Sequence, residues 1–289
     1  MSEANIKIPV DLTNPGQFFA CCGLLEVASR LNKEAQGWFE ARNFHLRCNS
    51  SFCDIVDALR QGRVVNTMSA AQNARLQELT SISKKDREKA KLEDEKKALD
   101  ALRREEPIVL ESSFVLRIDW FRDEYSGGSR FKTWAGQQSV LDIATAMHAG
   151  LRSVDREVES TLWNSARGAG LPFNFDSDLG GQGSALDIGF SFDPLAASEA
   201  TRIEGTCKPA LEILAFIGLQ RFRPREIPGR NRFVYVAWQQ PLPPSVAAPV
   251  SCQSVSARNA SCYEFRLLYR TKYLKSFLPA IPFQGDDDA

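Results

Sequence analysis

The chain has 289 residues, 43% hydrophobic and 25% charged, and its 36 basic residues balance 36 acidic ones. That is an ordinary globular composition with enough apolar residues for a sizeable core, and its length suits one large domain or two small ones. No apolar run approaches the roughly 18 residues of a bilayer span, and MSEANIKIPVD lacks the basic flank and apolar stretch of a signal peptide, so a cytoplasmic protein with no membrane partner is expected.

In chain order, alternation of Ile6, Ile8 and Val10 predicts a first strand. A helix follows, with Asn14 as its cap and Pro15 at its first position, where a missing N–H costs nothing. Phe18, Cys21, Cys22, Leu25, Ala28 and Leu31 place one apolar face inward. Gly23 interrupts this face at a cost of up to about 1 kcal/mol relative to Ala, which close approach of another backbone would offset. Residues 36–60 read as short strand-like pieces and a helix near Ile55–Leu59.

Residues 75–106 stand out as a charged helical insertion. From Lys84 to Glu106 there are nine basic and eight acidic residues with sparse leucines, and Pro107 closes the run. Opposite charges three and four apart support a solvated, projecting helix or helical hairpin, and such an arm could also dock a protein partner.

Alternation through Phe114, Leu116, Ile118 and Trp120 predicts a half-buried strand, followed by a glycine turn at Gly127–Gly128. One helix is expected over 140–151, a second over 153–167, and a strand around Ile188, Phe190 and Phe192. The segment 207–222 is apolar almost all round and reads as a buried helix that Pro224 ends. Late strands are expected at 233–238 and 263–270, and a disordered tail at 284–289. Strands and helices show no regular βαβ rhythm. The expected fold is therefore one α+β domain over 1–289, a mixed or antiparallel sheet with packed helices.

Seven cysteines without CxxC spacing argue against a disulfide framework or a zinc site and are expected to be buried, reduced thiols. Two histidines, His45 and His148, offer little material for His-based metal hydrolysis. No Ser-His-Asp or Cys-His order stands out, and GGQG at 180–183 lacks the frame of a phosphate loop. No cofactor is expected. Asp176, Asp178, Asp187 and Asp193 could bind a divalent cation in a metal-dependent nuclease, although such acids commonly mark turns and strand ends.

Three stretches could meet nucleic acid. The first, GLQRFRPREIPGRNRF, carries Arg221, Arg223, Arg225, Arg230 and Arg232 against a single acid, Glu226. Arg presents a planar fork that grips phosphate with two parallel bonds and stacks on bases, and five such groups repel one another without an anionic partner. Pairing with acids of neighbouring elements is the competing reading. The second, RFKTWAGQQS, offers Arg130 and Lys132 for charge, Trp134 for stacking, and Gln137 and Gln138 as amide donors and acceptors. An interior Trp beside a helix start is the alternative there. The third, LLYRTKYLKSF, interleaves Arg270, Lys272 and Lys275 with aromatics, as a single-strand groove does and as a surface strand also can.

Four blocks together, IPVDLTNPGQFFACCGLLEVASRL, LRIDWFRDEYSGGSRFKTWAGQQSVLDIA, ALEILAFIGLQRFRP and YRTKYLKSFLPA, carry a resemblance that spans most of the chain. With them the sequence resembles the CRISPR-associated subunit family of type I-G (formerly I-U) systems, a compact protein like the large subunit of Cascade. The resemblance implies a non-catalytic subunit of an RNA-guided surveillance complex. Its partners would be guide RNA, target DNA, the other Cascade subunits and a recruited helicase-nuclease. In such complexes base pairing reads sequence, while protein reads shape, a flanking motif or the displaced strand. A purely protein-binding scaffold subunit, docked through 84–106, is a further alternative.

Overall fold

The structure, a computed structural model, describes residues 3–120, 140–152, 167–168, 206–228, 231–270 and 273–283. The chain opens with strand β1 (Ile6–Pro9) and helix α1 (Pro15–Leu31). Asn14 Oδ1 caps the helix by accepting from the Gln17 amide at 3.2 Å, and the Gln17 side chain accepts in turn from the Asp11 amide at 2.8 Å. Strands β2 (Gln36–Glu40) and β3 (Asn43–Arg47) form a hairpin, and β1 adds to β3, giving an antiparallel sheet in the order β1-β3-β2. The hairpin turn is Ala41-Arg42, with φ of 46° and 62°. Both residues thus adopt the left-handed conformation that a two-residue hairpin turn requires and that Asn-Gly would adopt more easily.

Helix α2 (Phe52–Gln61) starts in a reciprocal cap. The Ser51 hydroxyl accepts from the Asp54 amide at 3.1 Å and the Asp54 carboxylate accepts from the Ser51 amide at 2.9 Å. These bonds hold the Asp54 carboxyl below its ordinary pKa. Strand β4 (Arg63–Asn66) then leads into the charged segment, which forms α3 (Ala70–Ser81), α4 (Lys84–Lys89) and α5 (Glu93–Glu105) before the chain returns as β5 (Ile108–Glu111) and β6 (Val115–Arg117). Strands β4 and β5 pair directly, in the antiparallel order β4-β5-β6, so the helices are an insertion within a hairpin. Trp120 falls beyond the last of these strands, which is shorter than the alternation from 114 to 120 predicts.

Within the insertion the charges largely satisfy one another. Arg75 grips Glu95 with two bonds of 2.8 Å and reaches Glu78 at 2.8 Å. Arg87 is buried, bonds Glu93 at 2.9 Å and donates to the carbonyls of Leu79 and Ile82 where α3 ends. Among its described residues α5 buries none, as its sparse leucines lead one to expect.

Helix α6 (Val140–Arg152) packs on β4 and α2. His148 Nε2 donates to the Leu59 carbonyl at 2.6 Å, and Arg152 Nε donates to the Arg60 carbonyl at 3.0 Å. Together with the Gly62 amide, which donates to the Leu59 carbonyl at 3.1 Å, they satisfy the carbonyls at the end of α2. The short strands β7 (Arg167–Gly168) and β8 (Thr206–Cys207) pair with each other. Helix α7 (Pro209–Arg221) follows and is buried at every position from Pro209 to Leu219. The expected strand near 188–192, the glycine turn at 127–128, most of the expected 153–167 helix and the 284–289 tail lie outside the described residues.

The C-terminal third builds the largest sheet. Strands β9 (Arg225–Ile227) and β10 (Arg232–Ala237) precede helix α8 (Pro244–Ser251), and β11 (Ser261–Arg270), β12 (Tyr273–Phe277) and β13 (Ile281–Pro282) complete it. The order is β12-β11-β10-β9, all antiparallel, with β13 also on β11. The segment after β10 joins this sheet to the first one. Gly37 and Leu242 exchange backbone bonds of 3.0 and 3.1 Å, and the Phe39 amide donates to the Trp238 carbonyl at 2.8 Å. The architecture is α+β with antiparallel sheets, and one apolar cluster runs from Ile6 to Ala280.

At its centre α1 crosses α7. A Cβ built on Gly23 would lie 1.9 Å from the Leu214 carbonyl oxygen, and one on Gly218 would lie 2.0 Å from that of Phe19. Each glycine thus lets the other helix's backbone in, which is the close approach that Gly23 foretells. Helix α1 is buried on more than the single face its spacing suggests, with every residue from Phe18 to Ala28 inside. The reason is that α7 covers one side and the aromatic face of the large sheet another. Phe18 stacks on Tyr235 with ring centroids 4.3 Å apart, and Phe19 meets Phe265 and Phe277 edge-on.

Candidate functional site

The arginine-rich stretch leaves the core at the end of α7 and enters the edge strand β9. Its local conformation follows from the sequence. Phe222 is fully buried and stacks on Trp238, which fixes the exit, and Pro224 prevents the helix from continuing. Four of the five arginines are described, and they divide into two kinds.

Arg221 and Arg232 turn inward. Arg221 Nε lies 2.9 Å from Oε2 of Glu26, a carboxylate 2% exposed on α1, while Arg30 Nε and Nη2 hold the other oxygen at 2.9 and 2.7 Å. Arg232 grips both oxygens of Glu264 on β11, through Nε at 2.5 Å and through Nη2. Glu264 is 4% exposed. Here the competing reading of the sequence, pairing with acids on neighbouring elements, describes the geometry.

Arg223 and Arg225 meet neutral partners. The Arg223 guanidinium lies over the Trp120 ring, 4.7 Å from its centroid, and Nε donates to the Gln220 carbonyl at 3.3 Å. Partial desolvation there pulls its pKa below the ordinary guanidinium value, yet it stays charged at any physiological pH. The Trp120 backbone is fixed in turn by donating to Gln220 Oε1 at 3.0 Å. Arg225 Nε donates to Gln253 Oε1 at 2.8 Å, and Gln253 Nε2 lies 2.9 Å from Cys262 Sγ.

The strand register explains why these groups meet. Arg225 lies opposite Val234, which lies opposite Glu264; Ile227 lies opposite Arg232, which lies opposite Arg266. Directly opposed residues share a face. Arg225, Arg232 and Arg266 therefore project from one face of β9, β10 and β11, with Glu264 as the single carboxylate among these rows. Arg266 is 65% exposed, and its Nε is 3.8 Å from Glu264 Oε1, whose fork position Arg232 already occupies. The face thus carries more positive than negative charge on a rigid sheet, away from the aromatic face that packs on α1.

Arg266 is the residue that sequence reading missed. Its signal was the alternation Glu264–Arg266, which sets it beside the neighbouring strand's Arg232. Trp120, expected as a strand residue, serves instead as the platform for Arg223. Arg270 lies at the end of β11 and Lys275 within β12. Arg230, Lys272 and the whole set Arg130, Lys132, Trp134, Gln137 and Gln138 lie outside the described residues, as do Asp176, Asp178, Asp187 and Asp193.

Among the described residues no three His, Cys, Asp or Glu side chains come together as metal ligands would, and none of the six cysteines whose side chains are described is in a disulfide. Of these, Cys21, Cys22 and Cys48 are buried as expected, whereas Cys53, Cys252 and Cys262 are half-buried. Burial raises the thiol pKa of Cys21 and Cys22 well above the usual value, which makes them inert packing groups. No helix among the described residues is long and apolar enough to cross a membrane. The chain matches no protein-family model, and neither a curated protein nor a solved structure is significantly similar to it.

Proposed function

We propose that this chain is a non-catalytic subunit of a type I CRISPR RNA-guided surveillance complex, touching guide RNA or target DNA with the arginines that border the Glu264-bearing face of its large sheet. The observation that carries the polyanion contact is the cross-strand set Arg225, Arg232 and Arg266 around one carboxylate. Arg232 and Glu264 form the frame. Arg225 and Arg266, which have no carboxylate to themselves, offer forks to phosphate, and Arg223 on Trp120 offers a flat cationic surface to a phosphate or base. Arg221 is assigned to holding α7 on α1 rather than to the ligand.

The assembly around it is supported by the four resemblance blocks. Partner subunits would hold the guide, and a separate helicase-nuclease would cut. The near-zero net charge fits a subunit with one basic face and other faces that meet protein. The test is co-expression with the neighbouring genes, purification through this chain, and analysis of bound nucleic acid. Wild type should bring down partner proteins with RNA of uniform length. The double variant Arg225→Glu, Arg266→Glu should still fold and recover partners but carry much less nucleic acid. Equal nucleic acid in both preparations would reject the face as the contact; purification of wild type alone, without RNA, would reject the assembly.

A further inference from the structure

A second surface lies on the first sheet, β1-β3-β2. Each of its strands alternates buried residues with exposed or half-buried ones. Ile6, Ile8, Phe39, Phe44 and Leu46 face the core, so Lys7, Trp38 and His45 share the opposite face. The register sets these three in one cross-strand row, with Lys7 opposite His45 and His45 opposite Trp38. The Trp38 and His45 rings are parallel to within 12° and their centroids are 5.3 Å apart, the spacing of an offset stack. Trp38 is anchored, because it also packs on the apolar core. Both rings keep part of their surface open to solvent.

The polar groups of this row are unengaged. Lys7 is exposed and has no ion-pair partner among the described residues. Among the same residues the indole N–H of Trp38 and both ring nitrogens of His45 have no hydrogen-bond partner. The other charges these strands place on this face are Arg47, which bonds Gln36 across the register, and Glu40 beside the hairpin turn. Two permanent cations therefore stand against one carboxylate. Trp38 covers one face of the imidazole. Strand β3 lies between β2 and β1, so the other imidazole face is on the Lys7 side.

We propose that this face binds single-stranded nucleic acid, with one base stacked on His45 and the adjoining phosphate on Lys7. The base extends the Trp38–His45 stack to three rings, and Lys7, long and exposed, moves aside to reach the backbone. Arg47 adds positive charge one row along, and the Trp38 indole is free to donate to the same strand. An antiparallel sheet that presents anchored rings beside cations is the arrangement on which unpaired bases are held, because every base has a π face and every nucleotide a negative charge. A duplex keeps its bases stacked on one another and cannot supply the ring. Guide RNA and a displaced DNA strand offer the same chemistry. None of these residues belongs to the arginine border, so the two readings fail separately.

The test follows the imidazole resonances of the full chain by NMR. The sequence holds two histidines, and His148 is buried, so it serves as the internal control. A short single-stranded RNA, the DNA strand of the same sequence and an abasic DNA strand of the same length are titrated in turn. Both base-bearing strands should move His45 and leave His148 in place, and the abasic strand should move His45 far less. The tighter of the two base-bearing strands assigns the source. His45→Ala should weaken binding about tenfold, within the worth of one stacked base. Lys7→Ala, at an exposed position, should make the slope of log affinity against log salt shallower by about 0.7, one phosphate contact on a single strand. The Arg225→Glu, Arg266→Glu protein should show the same His45 shifts. An unmoved His45 with both base-bearing strands, an equal movement with the abasic strand, wild-type affinity in both single variants, or loss of the His45 shifts in the arginine double variant would overturn the inference.

Discussion

Replacing Gly23 with alanine tests the core arrangement that aims the arginine edge. On helix propensity alone the change should stabilise α1 by up to about 1 kcal/mol. The structure reverses the sign. The new methyl would sit 1.9 Å from the Leu214 carbonyl oxygen, about 1.5 Å short of the 3.4 Å at which ordinary contact begins. The obstacle is backbone, so no side chain can swing aside, and α1 and α7 must part. A gap of even 0.5–1 Å forfeits about a quarter to a half of each dispersion contact. Overpacking of this kind costs about 1–3 kcal/mol and more where backbone must move. We expect a net loss of about 3 kcal/mol, or a fall in Tm of about 6–10 °C at the size of this chain. Urea and thermal unfolding of Gly23→Ala, Gly218→Ala and the double variant give the assay. The double variant should lose less than the sum of the singles, because helices already parted by one methyl admit the second more easily. A single variant as stable as wild type, or strictly additive losses, would refute the crossing.

The buried pair on the sheet face gives another expectation. Glu264→Gln leaves Arg232, 18% exposed, without its carboxylate and should cost about 3–5 kcal/mol by urea unfolding; a loss within error of zero would contradict the pair's role. His148 gives a pH dependence. Its pKa is lowered chiefly by burial, so the folded state favours the neutral ring and the unfolded state binds the proton more readily. Stability should therefore fall as pH drops through the ordinary His range and below it. That fall should be shallower in His148→Gln, whose amide can still donate to Leu59, and equal slopes in the two proteins would refute it.

Much of the fold was legible because it was written in local patterns. Asn14-Pro15 marked the start of α1, and the unbroken apolar surface of 209–219 marked α7 as interior. Gly23 pointed to a close neighbour, although nothing in the sequence named that neighbour as Gly218. What stayed illegible depends on pairing at a distance. The β2–β3 hairpin turns on Ala41-Arg42, which carries no Asn-Gly signal. Strands β4 and β5 are partners across the whole charged insertion, so neither reads as half of a hairpin. Helix α8 holds Pro244 and Pro249 and follows further prolines, a composition that suggests loop. The arginine cluster shows the same divide. Its charge density was evident, but the sorting of Arg221 and Arg232 onto Glu26 and Glu264 follows from packing and register. The recruitment of Arg266 does too.

The most direct test of the sheet face is the salt dependence of nucleic-acid binding by the purified complex, wild type against Arg225→Glu, Arg266→Glu. Each phosphate contact contributes a slope of about −0.9 on duplex DNA, or about −0.7 on a single strand, to log affinity against log salt. The account predicts weaker binding in the variant and a slope shallower by about 1.4–1.8. Identical affinity and slope in the two proteins would contradict it.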